Sequence, residues 1–295
     1  MNSSLGMYYS GNSRKKEFYR DLNEERMIVM ELGLKDRVAL ITGGSKGIGK
    51  AIAKGLATEG VKVAIIARGQ EALNETKQEI EQSGGTLLPL TADMTSDEDV
   101  TQAVSTVVDK FGQLDILVNN AGITPGFFDF EDIDVDDWKN IFDINVFGMV
   151  RVTKAVLPHL KKSKAGRIIN IGSESGEQPD GFMPDYNATK AAIINMTKSW
   201  SKAFAKDGLL VNTVSPAFIL TPLLNQTMQQ DAEEKGIQKD DAIQQFLKEN
   251  RPHIELKRPG KPEEVASAVV YLASDQASFI NGENLRVDGG SVASL

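Results

Sequence analysis

The sequence has no cysteine and only two histidines, His159 and His253, among its 295 residues. Without cysteine there is no disulfide, no thiolate nucleophile and no cysteine-ligated metal. The two histidines stand in unrelated contexts, which disfavours both a histidine-based metal site and a Ser/His/Asp triad. We therefore predict that no metal is bound and that any acid–base chemistry comes from carboxylates, lysines or tyrosines.

Long apolar runs are also missing, because no stretch approaches the ~18 consecutive apolar residues that a membrane-spanning helix needs. The first residues, MNSSLGMYYSGNSRKK, lack the apolar core of a secretory signal. A net charge of −8 argues against nucleic acid or an anionic membrane as the main partner. We expect a cytoplasmic protein that acts on a small molecule and has neither a nucleic-acid nor a membrane partner.

The organisation of the chain changes after its first segment. Residues 1–34 are polar and show no clear periodicity, so we predict a flexible N-terminal extension. Across residues 35–295, short β-branched apolar runs alternate with amphipathic helical patterns, and no internal linker divides them. Runs that are apolar on both faces favour a parallel sheet covered by helices on both sides. The predicted fold is α/β, a doubly wound Rossmann-like three-layer sandwich with a mostly parallel seven-stranded sheet.

The predicted elements follow the same alternation. Strands are expected at 38–44, 61–67, 86–92, 114–120, 167–173, 209–215 and 283–290, and helices at 48–59, 70–82, 96–111, about 135–162, about 184–206 and 262–273. Residues 217–255 follow the sixth strand without a strand of their own. Long excursions of this kind are functional lids or disordered loops, and here we favour a partly helical substrate lid.

The first predicted strand runs into a glycine-rich turn, TGGSKGIGK, at residues 42–50. Its glycine spacing is G-x3-G-x-G rather than the G-x-G-x-x-G of the commonest dinucleotide fingerprint. Gly43 permits a tight turn, Gly47 lets a phosphate approach the backbone, and Gly49 lets the helix pack close to the sheet. The N–H groups at the helix start would then meet a pyrophosphate. A tight connection without a ligand is the alternative, but the position after the first strand favours nucleotide binding.

The end of the second strand indicates which dinucleotide is bound. A cofactor with a free ribose 2′-OH usually meets an acidic residue about 20 residues beyond the glycines. Here the strand ends in Ile66, Ala67 and Arg68 instead. The guanidinium of Arg68 can pair with a 2′-phosphate, and Lys46 in the glycine turn can reach the same group. Two solvated surface cations are the alternative interpretation; we predict that NADP(H) is favoured over NAD(H).

Further motifs follow in a fixed order: Asp93 after the third strand, NNAG at 119–122, Asn145 in NVFG, Ser173 at the end of the fifth strand and YNATK at 186–190. With TGGSKGIG, this order and spacing resembles the short-chain dehydrogenase/reductase family of the Tyr-x3-Lys type, from residue 34 to the C-terminus. The resemblance implies an enzyme that transfers a hydride between nicotinamide C4 and a carbonyl or secondary alcohol. In general style the chain is similar to 3-oxoacyl-thioester reductases.

Two alternatives remain open beside that activity. A sugar or polyol dehydrogenase is the alternative inside the family, since the shared motifs do not fix the substrate. A non-catalytic protein that senses NADPH is the alternative from a different class. The family's terminal strand and tyrosine-bearing helix often form subunit interfaces, so the resemblance also implies a homotetramer (or a dimer).

The resemblance assigns roles to four residues. Tyr186 matches the proton donor or acceptor, and Lys190, one turn along the same helix face, brings positive charge close to a phenolate. Lys190 is also implied to hydrogen-bond the nicotinamide ribose. Ser173 matches the hydroxyl that orients the substrate oxygen and stabilises charge developing there. Asn145 matches the residue that holds a water between Lys190 and solvent.

The same resemblance implies the contacts of the cofactor. Asp93, with Met94, matches the pair that contacts adenine, although capping the next helix is a competing role for Asp93. Asn119 matches the turn beside the adenine ribose and is equally suited to stabilising the sheet. Pro216-Ala217 departs from the family's Pro-Gly and puts in doubt any geometry that needs glycine there. The predicted cofactor contacts are Gly43, Ser45, Lys46, Gly47, Ile48, Gly49, Arg68, Asp93, Met94, Asn119, Ala121, Gly122, Tyr186, Lys190, Pro216, Ile219 and Thr221.

Overall fold

The structure, a computed structural model, describes residues 30–124, 126 and 128–293. Residues 32–295 form one compact unit; of the preceding unit only Met30 and Glu31 are described. The predicted extension over residues 1–34 therefore lies almost wholly outside the described residues and stays a prediction. No helix in the described part of the chain has the length and apolar character that a membrane crossing requires.

The fold is built on one seven-stranded sheet with the strand order β3-β2-β1-β4-β5-β6-β7. Every neighbouring pair in that order is parallel. The prediction of a doubly wound Rossmann-like sandwich is confirmed, and the sheet is parallel throughout rather than mostly so. The strands are β1 Val38–Thr42, β2 Lys62–Ala67, β3 Thr86–Thr91, β4 Ile116–Asn119, β5 Arg167–Ile171, β6 Leu210–Pro216 and β7 Asn284–Val287.

Helices cover both faces of this sheet because successive side chains of a strand point to opposite sides. In β1, Ile41 belongs to one buried apolar layer and Leu40 to the other. The first layer contains residues of α1, α2 and α9, and the second contains residues of α3 and α5. The helices are α1 Gly47–Thr58, α2 Gln70–Gln82, α3 Asp97–Phe111, α4 Val135–Phe142, α5 Gly148–Leu160, α6 Pro184–Phe204, α7 Pro222–Lys235, α8 Lys239–Asn250 and α9 Pro262–Ala273.

The expected single helix over about 135–162 is wrong in one respect. A π-helical turn, Asp143–Phe147, separates α4 from α5, and α5 ends at Leu160. The turn carries Asn145, whose side chain bonds the backbone of Ile123 instead of pointing to solvent. One extra residue per turn inside a helix re-aims side chains and is frequent at functional sites.

The segment 217–255 contains α7 and α8, which share a small apolar core of their own. Phe218, Met228 and Leu247 are buried in it, and the rings of Phe218 and Phe246 stack with centroids 4.8 Å apart. The segment thus packs as a helical unit beside the carboxyl ends of the strands. Its role as a lid stays a prediction.

Strand order also positions a crevice. β1 lies between β2 and β4, so the connections that leave β1 and β4 turn to opposite sides of the sheet. Ligands of open α/β sheets bind in the crevice at such a switch point. Thr42 at the end of β1 joins its two walls, because its Oγ1 accepts hydrogen bonds from the N–H groups of Asn120 at 3.0 Å and Ala121 at 2.9 Å.

Candidate active site

The glycine turn is held at this crevice by close packing. Gly43 has φ of +65°, which favours glycine, and its N–H donates to Ile66 O at 2.8 Å. Gly49 is buried, and a Cβ there would lie 2.3 Å from Gly43 O. The side chain of Asn120 supports the turn by donating from Nδ2 to Thr42 O and Gly43 O, at 2.9 and 3.1 Å. Sequence reasoning missed this role, although Asn120 lies in the NNAG motif.

A cavity of about 710 Å³ opens beside the glycine turn. Its wall continues across the ends of β2, β3 and β4, as expected for an extended dinucleotide. Gly47, Ile48 and Gly49 follow directly in the turn and in the first turn of α1. The structure brings eight of the predicted cofactor residues into the lining: Gly43, Ser45, Lys46, Arg68, Asp93, Met94, Ala121 and Gly122.

The charged residues that line this cavity are Lys46, Arg68 and Asp93. Arg68 and Lys46 are both exposed at the cavity wall. Hydrogen bonds from the N–H and hydroxyl of Thr95, each 2.8 Å, hold the pKa of the Asp93 carboxyl below its usual value, and nearby Arg68 acts in the same sense. The helix-cap role considered for Asp93 is wrong, because Ser96 caps α3.

Tyr186 and Lys190 share one face of α6, against the end of β5. The Lys190 ammonium lies 5.5 Å from the centroid of the Tyr186 ring and donates to Ile171 O at 3.0 Å. Only 7% of Lys190 is exposed, whereas Tyr186 is half-buried. Ser173 follows β5 and is also buried; its Oγ accepts a hydrogen bond from Ser175 N–H at 3.2 Å. Strand β5 therefore positions both the hydroxyl and the partner of the ammonium.

Asn145 joins this pair from the π-helical turn. Its Oδ1 accepts from Ile123 N–H at 2.8 Å, and its Nδ2 donates to Ile123 O at 3.0 Å and Thr189 Oγ1 at 3.3 Å. Thr189 in turn donates to Tyr186 O at 2.7 Å. Asn145 thus fastens the chain beyond β4 to the helix that carries Tyr186.

Other predicted residues lie away from the cavity wall. Asn119 is buried and donates to Thr153 Oγ1 and Asn170 Oδ1, which supports its sheet-stabilising role. Pro216 ends β6, and Ile219 lines a separate cavity of about 210 Å³. Thr221 caps α7 and is close to the glycine turn, since its Cγ2 would lie 3.3 Å from a Cβ added at Gly47.

The backbone at Ala217 does not require glycine, because its φ is not positive. In the part of the chain that the structure describes, the non-glycine residues with positive φ are Asp36 and Lys257. In that same part, no group of His, Asp and Glu side chains is arranged to hold a metal ion.

A second cavity, of about 580 Å³, lies between the segment 217–255 and the loops before α4 and α6. Apolar side chains of both sides line it, namely Phe128, Phe182, Met228 and Phe246. Four carboxylates also line it, Asp129, Asp132, Asp231 and Glu249, with one cation, Lys235, that pairs with Asp231. The cavity therefore offers both apolar and acidic side chains.

This geometry has counterparts among known proteins. A family model described as short chain dehydrogenase matches residues 37–232. The chain belongs to the short-chain dehydrogenase family. The resemblance found in the sequence is thereby confirmed.

Individual relatives of this short-chain dehydrogenase cover nearly the whole chain. A 3-oxoacyl-(acyl-carrier-protein) reductase of Synechocystis sp. is 39% identical over 88% of this chain and 98% of its own length. The oxidoreductase YvrD of Bacillus subtilis is 38% identical over 90% of this chain and 100% of its own. L-sorbose reductase from Gluconobacter frateurii, in its complex with NADPH and L-sorbose, superposes with a TM-score of 0.86 at 32% identity, over 90% of this chain and 100% of that one.

These relationships place the protein in a class of chemistry. It is an oxidoreductase that acts on CH–OH and C=O groups, in a family that binds a nicotinamide cofactor. The glycine turn and the cavity beside it fit such a cofactor, since the turn leaves no room for side chains where its backbone must be reached.

We expect Gly49→Ala to weaken the binding of a nicotinamide cofactor, with NADPH as the probe. The added methyl group would meet Gly43 O and Asn120 Nδ2 at 2.3 and 2.5 Å, so the turn must shift. Overpacking of this kind costs about 1–3 kcal/mol of stability, and we expect at least about a tenfold rise in the Kd for NADPH. Titration calorimetry with Gly181→Ala as control checks this, since nothing lies within 4 Å of a Cβ at that exposed glycine. Equal affinities in the two variants would contradict the role of the turn.

Proposed function

We propose that the protein is an NADP(H)-dependent oxidoreductase in which Tyr186 is the general acid and base. The observation that carries the proposal is the buried ammonium of Lys190, 5.5 Å from the Tyr186 ring centroid and held by Ile171 O. A phenol is a weak acid, so it can exchange a proton near neutrality only where its anion is favoured. A cation with little access to water provides that stabilisation at close range.

Three side chains have distinct roles in a carbonyl reduction. A nicotinamide cofactor, held by the glycine turn and the lining of the cavity beside it, would supply the hydride for the carbonyl carbon. The Tyr186 hydroxyl gives its proton to the carbonyl oxygen, and the resulting phenolate is stabilised by Lys190. The Ser173 hydroxyl orients that oxygen and stabilises the charge that develops on it. Alcohol oxidation reverses each transfer.

Asn145 has a structural role beside these three residues. Its bonds to Ile123 and Thr189 fix α6 against the crevice, and we propose that a water beside it connects Lys190 to solvent. Such a path would return a proton to Tyr186 after each reduction. Asn145 thereby supports Tyr186 without touching the substrate.

The preference for NADP(H) is supported by charge. Arg68 and Lys46 line the cofactor cavity and are exposed, and no acidic residue ends β2. A 2′-phosphate would gain charge-assisted hydrogen bonds from the guanidinium, whereas a free 2′-OH would find no carboxylate acceptor there.

The substrate is proposed to bind in the cavity of about 580 Å³, with residues 217–255 as its lid. An acyl chain would contact Phe182, in the loop before α6, and Met228 and Phe246, in the lid, which supports a 3-oxoacyl-thioester-like substrate. The carboxylates that line this cavity favour the alternative, a sugar or polyol, because they accept hydrogen bonds from hydroxyl groups and repel anionic carriers. The homotetrameric (or dimeric) assembly and the cytoplasmic location stay predictions.

The decisive test of the proposed function is Tyr186→Phe. We expect NADPH oxidation, assayed over ketones, 3-oxoacyl thioesters and ketoses, to fall by about a hundredfold or more because the proton donor is gone. NADPH binding should persist, since the glycine turn is untouched. A wild-type protein that binds NADPH and reduces none of the panel would instead favour the sensor alternative.

The cofactor preference is tested by Arg68→Asp. Loss of a charge-assisted pair and gain of a ribose acceptor should shift the ratio of kcat/KM values from NADPH towards NADH by about tenfold to a hundredfold. Steady-state kinetics with both cofactors measures the ratio, and Lys62→Asp, at the other end of β2, serves as the control. An unchanged ratio in Arg68→Asp would show that this residue does not contact the 2′-phosphate.

A further inference from the structure

Four residues before the end of the segment 217–255, an arginine side chain turns inward. Arg251 directly follows α8, and 10% of its side chain is exposed. Its guanidinium lies 2.9 Å from Asp180 Oδ2 and 3.8 Å from Glu174 Oε1, and 5.4 Å from the centroid of the Phe182 ring. One cation of the lid thus contacts three residues of the stretch between Ser173 and Tyr186.

The first carboxylate lies on the Ser173 side of the site. Glu174 follows Ser173 directly and is 5% exposed, in the short turn Glu174–Gly176. This turn packs against the helix of the proposed acid–base pair, because a Cβ at Gly176 would lie 2.8 Å from the carbonyl carbon of Lys190. A displacement of Glu174 would therefore reach both Ser173 and Lys190.

The second carboxylate lies on the Tyr186 side. Asp180 belongs to the loop before α6, and its carbonyl oxygen accepts a hydrogen bond from Asn187 Nδ2 at 2.6 Å. Asn187 is the neighbour of Tyr186 and is buried. The position of Asp180 is thereby coupled to the first turn of the helix that carries the phenol.

Burial disfavours the ionised form of both carboxyl groups. It raises the pKa of the Glu174 carboxyl, against the opposing effects of the Ser291 hydrogen bond and of Arg251. It raises the pKa of the Asp180 carboxyl too, which Arg251 and His253 oppose. Carboxylates held out of water depend on a nearby cation, so Arg251 must stay in place for the arrangement to persist.

We infer that Arg251 is a positioning residue that docks the lid onto the turn after Ser173 and onto the loop before Tyr186. Docking the lid through these two carboxylates couples closure over the substrate to the placement of the two hydroxyl groups that flank it. The inference rests on the proposed function, because it assigns Arg251 its effect through Ser173 and Tyr186. An ion pair that only stabilises the fold is the competing explanation, and buried pairs are often neutral for stability.

The test compares the wild type with Arg251→Met, which keeps length and removes charge. We expect kcat/KM for the carbonyl substrate to fall by about tenfold to a hundredfold, with a raised KM. The reason is that the lid would no longer be held in a fixed position relative to the hydroxyl groups of Ser173 and Tyr186. The Kd for NADPH should stay within about twofold, since the cofactor cavity is lined elsewhere. Amide hydrogen exchange over residues 217–255, without substrate, should increase. Unchanged kinetics and exchange would overturn the inference.

A double variant separates docking from stability. Arg251→Met/Glu174→Gln removes the carboxylate charge that the single change leaves alone, so the thermal midpoint should recover. Under our inference kcat/KM stays low, because the contact to Asp180 is still missing. Recovery of wild-type kcat/KM would mean that Arg251 acts only by neutralising Glu174, and would overturn the inference.

Two further variants serve as a control and as a substitute for Arg251→Met. Arg258→Met removes an exposed arginine that pairs with Glu264, and its kinetics should match wild type within about twofold. Should Arg251→Met fail to fold, Asp180→Asn removes the negative charge of the shorter ion pair while keeping the Glu174 pair. It should raise KM in the same direction by a smaller factor, and an unchanged KM would overturn the inference. A wild type that reduces no carbonyl would instead defeat the proposed function and this inference with it.

Discussion

The account of this protein depends on one interaction: the Lys190 ammonium, removed from water, lies beneath the Tyr186 ring and donates to Ile171 O. A buried cation must satisfy its donors locally, and a strand end supplies a carbonyl that cannot move away. The charge is therefore fixed 5.5 Å from the centroid of the Tyr186 ring. Ser173 follows the same strand by two residues, so one rigid element sets the hydroxyl and the cation together.

The rest of the fold places the glycine turn and the cavity beside it at one edge of the sheet. Parallel strands end at one edge of the sheet, and the switch between β1 and β4 opens the crevice there. Thr42 and Asn120 fasten the two walls through hydrogen bonds to backbone groups, while the buried Gly49 lets α1 approach. The π-helical turn then aims Asn145 across to α6. Each of these contacts fixes one part of the backbone against another at this edge of the sheet.

Much of this was predictable from the sequence, and the exceptions have physical reasons. Short apolar runs alternate regularly with longer amphipathic patterns, so β1 to β7 lie within a few residues of where they were expected. The π-helical turn at Asn145 escaped because α4 has only 8 residues, too few to show that its apolar stripe is offset from that of α5. The capping of α3 by Ser96 rather than Asp93 depends on local hydrogen bonds. Arg251 escaped because its partners are distant in sequence, and only the fold brings them together.

The most direct measurement of the central claim is the single-turnover rate of carbonyl reduction by Lys190→Met at saturating NADPH. Saturation removes any effect of Lys190 on cofactor affinity, so the rate reports the proton and hydride transfer itself. Without the buried ammonium, that rate should be at least about a hundredfold below wild type. A rate equal to wild type would contradict the account, because the phenol would then need no cation beside it.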